Sequence, residues 1–287
     1  MTPTDTSQVS EALIINAFSD DPEVQKAKTK SEALAIAKKK MEKQFRAALG
    51  GKSGDTESPY QVLAGNCLGI MPDLAESRPL SFSGIVCDQP YGIDAQDFGE
   101  QTRSNTHEYD DSESTAMEII ESIFMNGKTL VKPGGHAYIF CSLHHFTKIK
   151  ALAELYDWTV FTSPLIWYKG DTRGHAPWPG FWRRGYECIL FAVNSSSTQA
   201  KQLNKVHIDV LSFPGVQNKI HSAEKPAELL RELLQISFGP GDAILDPCCG
   251  SGSIFLAAKG LNLQVTGIEL DPQYVAIARG RIKEIEA

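Results

Sequence analysis

Two stretches of the chain carry residue types that could do chemistry. In the first, Ser83-Gly84-Ile85-Val86-Cys87-Asp88-Gln89-Pro90-Tyr91-Gly92-Ile93, an apolar run ends in an acid, a constrained turn and an aromatic ring. A strand of this kind delivers Asp88, Gln89, Pro90 and Tyr91 to the edge of a sheet, where open α/β folds bind ligands. As a bare tetrapeptide these four residues could also be no more than a turn.

The second stretch is Ala243-Ile244-Leu245-Asp246-Pro247-Cys248-Cys249-Gly250-Ser251-Gly252-Ser253, which reads as a buried strand, an acid, a glycine loop and a helix start. Glycines permit close backbone approach, and a helix start offers unpaired N–H groups to a carboxylate or phosphate. The following strand, Gln264-Val265-Thr266-Gly267-Ile268-Glu269, ends in an acid roughly 20 residues on, the spacing at which a carboxylate reaches ribose hydroxyls. A lone Gly-x-Gly would serve equally well as an ordinary strand-to-helix turn. Gly250-Ser251-Gly252-Ser253-Ile254-Phe255 lacks the third glycine of the dinucleotide fingerprint. Nicotinamide and flavin cofactors are therefore disfavoured, and S-adenosylmethionine fits better.

The elements that must position these groups alternate short apolar runs with helical patterns, as in a largely parallel sheet covered by helices. Strands are expected at Tyr60–Ala64, Gly84–Cys87, His136–Cys141, Thr159–Trp167, Glu187–Val193, Ala243–Leu245 and Gln264–Glu269, and helices at Ser114–Leu130, Phe146–Tyr156, Pro226–Phe238, Ser253–Lys259 and Pro272–Ile285. Upstream, Leu34, Ala37, Met41 and Phe45 recur at helical spacing with Lys38, Lys39, Lys40, Lys43 and Arg46 on other faces, and Gly50-Gly51-Lys52-Ser53-Gly54 ends the pattern as a linker. The lysines could follow a phosphate backbone or form a solvated face. The expected division is a helical, lysine-rich arm and linker over 1–58 and an α/β domain over 59–287.

A hydrophobic content of 42% with 22% charged residues is that of a globular chain, and the formal charge of -7 argues against a nonspecific coat for nucleic acid. Cys67, Cys87, Cys141, Cys188, Cys248 and Cys249 lack the paired short spacing of a zinc site and read as reduced, mostly buried thiols; no metal is expected. No apolar run approaches membrane-spanning length, so no membrane partner is expected and a cytoplasmic location is the default.

Asp88-Gln89-Pro90-Tyr91 resembles the Asp-Pro-Pro-Tyr motif of amino-methyltransferases, with Gln89 in place of a proline. The order of the motifs resembles the beta class of DNA amino-methyltransferases: Asp88-Gln89-Pro90-Tyr91, then His221-Ser222-Ala223-Glu224-Lys225-Pro226, then Asp246 to Ser253, then Gly267-Ile268-Glu269-Leu270-Asp271. The likeness spans about Tyr60 to Ile285 and is strongest to stand-alone enzymes of phages and prophages, which places the protein in a bacterial or phage-infected cell. It implies a Rossmann-like methyltransferase fold, a largely parallel sheet of about seven strands with helices on both faces and circularly permuted motifs, with a target-recognition insertion around 168–222. It also implies that Glu269 binds the cofactor ribose and Asp246, Pro247, Cys248, Gly250, Ser251 and Gly252 surround the methionine portion. Lys225 and Pro226 would help shape the cofactor site, and Leu270 belongs to the same set. Gly65-Asn66-Cys67 is similar to a Gly-Asp segment beside the cofactor adenine, with Asn66 in place of the acid. Lys225-Pro226 also suits a helix start.

The resemblance implies methyl transfer from S-adenosylmethionine to adenine N6 in DNA. An exocyclic amine is a poor nucleophile because its lone pair is delocalised; Asp88 and the backbone carbonyl of residue 89 would accept its two N–H groups. Tyr91 would stack on a base flipped from the duplex. The stretch Trp167 to Arg184 interleaves cations with aromatics, and Lys169, Arg173, Arg183 and Arg184 are the DNA-binding candidates, while an aromatic satellite core under a loop is the bland reading. Asp94–Ser114 reads as a polar loop beside the catalytic motif. Cytosine-N4, RNA or protein-amide methylation, or a silent DNA-binding relative, remain the alternatives. A homodimer is an open option.

Overall fold

The computed structural model describes residues 21–33, 35–36, 58–91, 112–170, 185–194, 200–205, 207–216 and 224–287. The chain divides into two compact units, Met1–Glu57 and Ser58–Ala287. In the first, helix α1 (Pro22–Gln25) is capped by Asp21, whose carboxylate accepts the Glu23 N–H at 2.9 Å. The amphipathic positions Leu34, Ala37, Met41 and Phe45, their lysines and the glycine linker lie outside the described residues.

The second unit is built on strands β1 (Tyr60–Ala64), β2 (Phe82–Cys87), β3 (Val131–Cys141), β4 (Thr159–Val160), β5 (Leu165–Tyr168), β6 (Tyr186–Val193), β7 (Val210–Ser212), β8 (Ala243–Asp246) and β9 (Gln264–Glu269). Its helices are α2 (Cys67–Ser77), α3 (Glu113–Leu130), α4 (Phe146–Leu155), α5 (Ala227–Ser237), α6 (Ser253–Ala258) and α7 (Pro272–Glu286). The strands form one nine-stranded sheet in the order β1-β9-β8-β2-β3-β6-β5-β7, with β4 also on β6. From β1 to β3 all neighbours are parallel; β6 is antiparallel to β3, β4 and β5. The fold is thus the Rossmann-like α/β arrangement, with a mixed sheet because β6 runs backwards.

Period-two alternation turns neighbouring residues of one strand to opposite faces. Val86, Tyr138 and Phe140 pack with Leu229, Leu233, Ile254, Phe255 and Ala278 of α5, α6 and α7. Ile85 points to the other face, where α3 approaches so closely that a Cβ on Gly127 would lie 2.9 Å from the Ile85 side chain and 3.2 Å from Trp158.

The strand count exceeds the expected seven for two reasons. The run Thr159–Trp167 is broken around Pro164, whose missing N–H cannot join a ladder, so two separate strands pair with β6. Strand β7 is three residues long with only Leu211 buried, too short to show a pattern. Helix α2 went unexpected because Gly69 and Pro72 are poor helix formers, although its buried Cys67, Ile70, Met71 and Leu74 have helical spacing. No helix among the described residues is long and apolar enough to cross a membrane.

Candidate active site

Parallel strands share their C-terminal edge, and that edge collects the chemistry. Asp88 directly follows β2, and Asp246 ends β8, which pairs with β2 through Gly84↔Ile244 and Ile85↔Leu245. Glu269 ends β9, the next strand along. Because β6 is antiparallel to β3, it begins where β3 ends, with Cys141 opposite Cys188, and so brings Glu187 to the same edge.

Around the catalytic turn the side chains are held by ion pairs between distant elements. Lys225, 7% exposed, places its Nζ 2.6 Å from Asp88 Oδ2 and 3.4 Å from Glu187. Glu187 also accepts from the Tyr91 hydroxyl at 2.8 Å and pairs with Lys169 Nζ at 2.5 Å. The Lys225 ammonium lies 5.3 Å from the centres of the Tyr91 and Phe140 rings. Asp88 Oδ1 is buried without a hydrogen-bond partner of ordinary geometry among the described residues, although the Tyr91 hydroxyl stands close to this carboxyl group as well. Burial raises the Asp88 pKa more than Lys225 lowers it. Glu187 is also penalised by burial, yet Lys225 and Lys169 together hold it down at about 2. The two carboxylates in turn pull the Lys225 pKa up against burial, so the lysine stays charged.

Gln89 is 2% exposed, and its side chain turns away from solvent to donate from Nε2 to the Phe140 carbonyl at 2.7 Å. The side chain thus ties the turn to the end of β3, a restraint of the kind that proline would supply covalently.

The cofactor loop is held by backbone groups. The Glu269 carboxylate accepts from the N–H groups of Gly250 and Asp271, both at 2.8 Å. Asp246 accepts from the Cys248 N–H at 3.1 Å, and burial drives its pKa well above the usual carboxylate range, with Asp88 and Glu269 adding to the rise. Gly252 has φ +85° and would place a Cβ 2.9 Å from that of Ala278, so only glycine lets the loop turn against α7. Arg281 of α7 braces the loop, bonding Ser251 Oγ at 3.1 Å and Glu224 at 2.6 Å. Gly65 N–H donates to the Glu269 carbonyl at 2.8 Å, so Gly65-Asn66-Cys67 lies beside Glu269-Leu270. Asn66 caps α2 through Leu68 N–H at 3.0 Å, and the thiols of Cys67, Cys248 and Cys87 adjoin one another.

Asp88, Lys225, Asp246, Cys248, Gly250 and Ser251 line one cleft with Val86, Phe140, Glu224 and Cys249. Leu270 is 55% exposed, and Pro226 is the N-cap of α5. Of the DNA-binding candidates, Lys169 points at Glu187 and Trp167, whose ring centre is 4.9 Å away, and so belongs to the charged network. Arg173, Arg183 and Arg184 lie outside the described residues, as do most of the Asp94–Ser114 loop and His221, Ser222 and Ala223. Sequence reasoning missed Glu187, Glu224 as a brace, and Arg281; the signal for Glu187 was an acid at the mouth of the apolar strand Tyr186–Val193.

Parallel strands with an acid-ended turn and a glycine loop at adjacent ends form a site suited to a nucleotide-type cofactor. The family model described as DNA methylase (N6_N4_Mtase) matches residues 82–280, well over half of the chain, and the protein belongs to that family. It is similar to the type II methyltransferase M.HpaI of Haemophilus parainfluenzae, 23% identical over 248 residues, which cover 77% of this chain and 74% of that protein. A shorter match to M.XycI of Xanthomonas campestris pv. cyanopsidis is 43% identical over 63 residues, only 22% of this chain and 21% of that one. The fold is shared with the M1.HpyAVI–SAM complex (TM-score 0.60, 23% identity, 78% of this chain and 98% of that one). It is shared too with the cytosine-N4-specific PvuII DNA methyltransferase (TM-score 0.58, 15% identity, 81% and 95%). The chain is an S-adenosylmethionine-dependent DNA methyltransferase.

Proposed function

We propose that the methyl acceptor is adenine N6 and that Asp88 is the catalytic acceptor for its amino group. The observation that carries the acceptor role is Asp88 itself, with Oδ2 held by Lys225 and Oδ1 buried at the cleft without an ordinary hydrogen-bond partner among the described residues, while the adenine target rests on the resemblance of Asp88-Gln89-Pro90-Tyr91 to Asp-Pro-Pro-Tyr. A carboxylate oxygen left in that state is a strong acceptor for an amine N–H in a water-poor site. Together with the carbonyl of residue 89 it favours a pyramidal nitrogen with a localised lone pair. Asp88 would pass the amine proton to solvent as the nitrogen takes up the methyl group, with the donor sulfonium leaving as a neutral thioether.

The residues present fit the cofactor. Asp246 is a buried carboxylate whose pKa burial raises, with Asp88 and Glu269 adding to the rise and no cation offsetting it among the described residues, and a cationic group would supply that offset. Asp246 would take the amino group of the methionine portion, Gly250, Ser251 and Gly252 would leave room for it, and Glu269 would face the ribose hydroxyls. Asn66, Cys67 and Leu270 border the adenine end. Bound there, S-adenosylmethionine supplies an electrophilic methyl on a cationic sulfonium. Tyr91 would stack on the extruded base while its hydroxyl stays on Glu187. Arg173, Arg183 and Arg184, within the recognition insertion, would contact phosphates.

Incubation of unmethylated plasmid DNA with methyl-labelled cofactor, followed by digestion to nucleosides, tests the target. Label in N6-methyladenine is the expected result. Label in N4-methylcytosine, or in RNA or protein in parallel reactions, would replace the reading.

A further inference from the structure

Glu187 stands at the first turn of an antiparallel strand, outside both motifs, yet it gathers groups from three other segments. One carboxylate holds the Tyr91 hydroxyl at 2.8 Å, Lys169 Nζ at 2.5 Å and Lys225 Nζ at 3.4 Å. Lys225 is in turn 2.6 Å from Asp88. A buried cation shared between two carboxylates is drawn less completely onto either, so Asp88 keeps more of its capacity to accept a hydrogen bond than it would opposite Lys225 alone. The set also balances its charges: Asp88 and Glu187 oppose Lys225 and Lys169. Without Glu187 the set would be left with a net positive charge beside the place where a cationic methyl donor must bind.

We propose that Glu187 is a positioning residue of the methyl-transfer site, which divides Lys225 between two carboxylates, anchors Tyr91 and keeps Asp88 basic. This rests on Asp88 being the acceptor in methyl transfer. Among the described residues, the charged or titratable groups that face Asp88 are Lys225 before α5, Glu187 of β6, Tyr91 of its own turn, Asp246 of β8 and Cys87 at the end of β2. Among them Glu187 acts to raise the Asp88 pKa and Lys225 to lower it. Removing the negative charge of Glu187 should therefore leave Lys225 dominant and move the Asp88 titration to lower pH.

Glu187→Gln keeps the shape and the ability to accept from Tyr91 but removes the charge. Single-turnover methylation of unmethylated plasmid DNA, measured across pH with saturating S-adenosylmethionine, should slow by roughly 10- to 100-fold, less than for loss of a group that itself touches the reacting atoms. Its acidic limb should shift downward. Glu187→Asp restores the charge on a shorter arm, and should return the limb towards its original position with partial recovery of rate. Carbon-13 titration of the Asp88 carboxyl, assigned with Asp88→Asn, gives the same shift without turnover. An unmoved Asp88 titration in Glu187→Gln overturns the proposal, whether the rate falls with the melting temperature or stays unchanged. Full activity in Asp88→Ala would mean instead that Asp88 is not the acceptor, a failure of the underlying reading that the Glu187 titration does not mimic.

Discussion

The catalytic turn and the cofactor loop sit on adjacent strands, β2 and β8, and keep their buried carboxylates in opposite ways. Asp88 is answered by a cation from a distant segment, with Lys225 at 2.6 Å and a second carboxylate behind it. Among the described residues Asp246 is met by a backbone N–H two residues on, and its pKa rises well above the ordinary range. The difference teaches what each half awaits. On the proposed reading, the balanced cluster suits a neutral amine and the unbalanced carboxylate suits a cation. The Coulomb attraction of a ligand cation in such a site is far larger than in water.

The strongest way to break this comparison is Asp88→Ala. Methyl transfer should fall by on the order of 10³-fold, as for removal of a key hydrogen-bonding group at a reacting centre. Cofactor affinity measured by calorimetry should stay within a few-fold, because Lys225 can fall back on Glu187; loss of cofactor binding would place Asp88 in the other half of the site.

Asp246→Asn tests the unbalanced half. Loss of a charge-assisted bond worth roughly 1.5–3 kcal/mol should weaken cofactor binding by about 10- to 150-fold. The cofactor-free variant should at the same time melt higher than wild type at neutral pH. The sign follows from the direction of the shift: with the folded pKa raised, the stability from this group is present below the unfolded value and lost as pH rises through the folded one. The advantage of the variant should shrink towards pH 4, near the ordinary carboxylate value. Melting curves at acid and neutral pH that differ equally for both proteins would remove the argument that Asp246 lacks a counter-charge.

Gly252→Ala separates backbone from charge in the same loop. A methyl group at φ +85°, 2.9 Å from Ala278, should cost about 1–3 kcal/mol in denaturant unfolding, with the Asp88 titration unmoved. Equal stability would show that α7 yields there.

The smallest effect is expected at Gln89. Gln89→Leu removes the donor to the Phe140 carbonyl and should cost about 1 kcal/mol of stability with a modest loss of rate. Gln89→Pro loses the same bond but restricts the backbone, so its rate should exceed that of Gln89→Leu; a proline variant no faster than the leucine one would mean that backbone restriction does not substitute for the side-chain bond.

Much of this architecture was legible in the residues. Strands β1 and β9 begin and end where the apolar runs do, and the glycine loop between β8 and α6 is stated by Asp246, Gly250 and Gly252, since local backbone conformation depends on residues close in sequence. The same holds for the contacts of that loop, where Cys248 N–H answers Asp246 two positions away. The paired strands Thr159–Val160 and Leu165–Tyr168 were not separable by pattern, because a run containing Pro164 still looks apolar throughout.

What the tertiary structure alone decided is the partnership around Asp88. Glu187 lies 99 residues from that aspartate by number, and Lys225 lies 137 residues away. Their meeting depends on β6 running antiparallel to β3 and on α5 starting just beyond the cleft. Charge pairing between such distant positions leaves no periodic trace in a single sequence, because an acid at a strand end and a lysine before a helix are each ordinary where they stand. The motifs therefore stated which groups reach the candidate site, and the sheet order determined which cations and carboxylates set their charge.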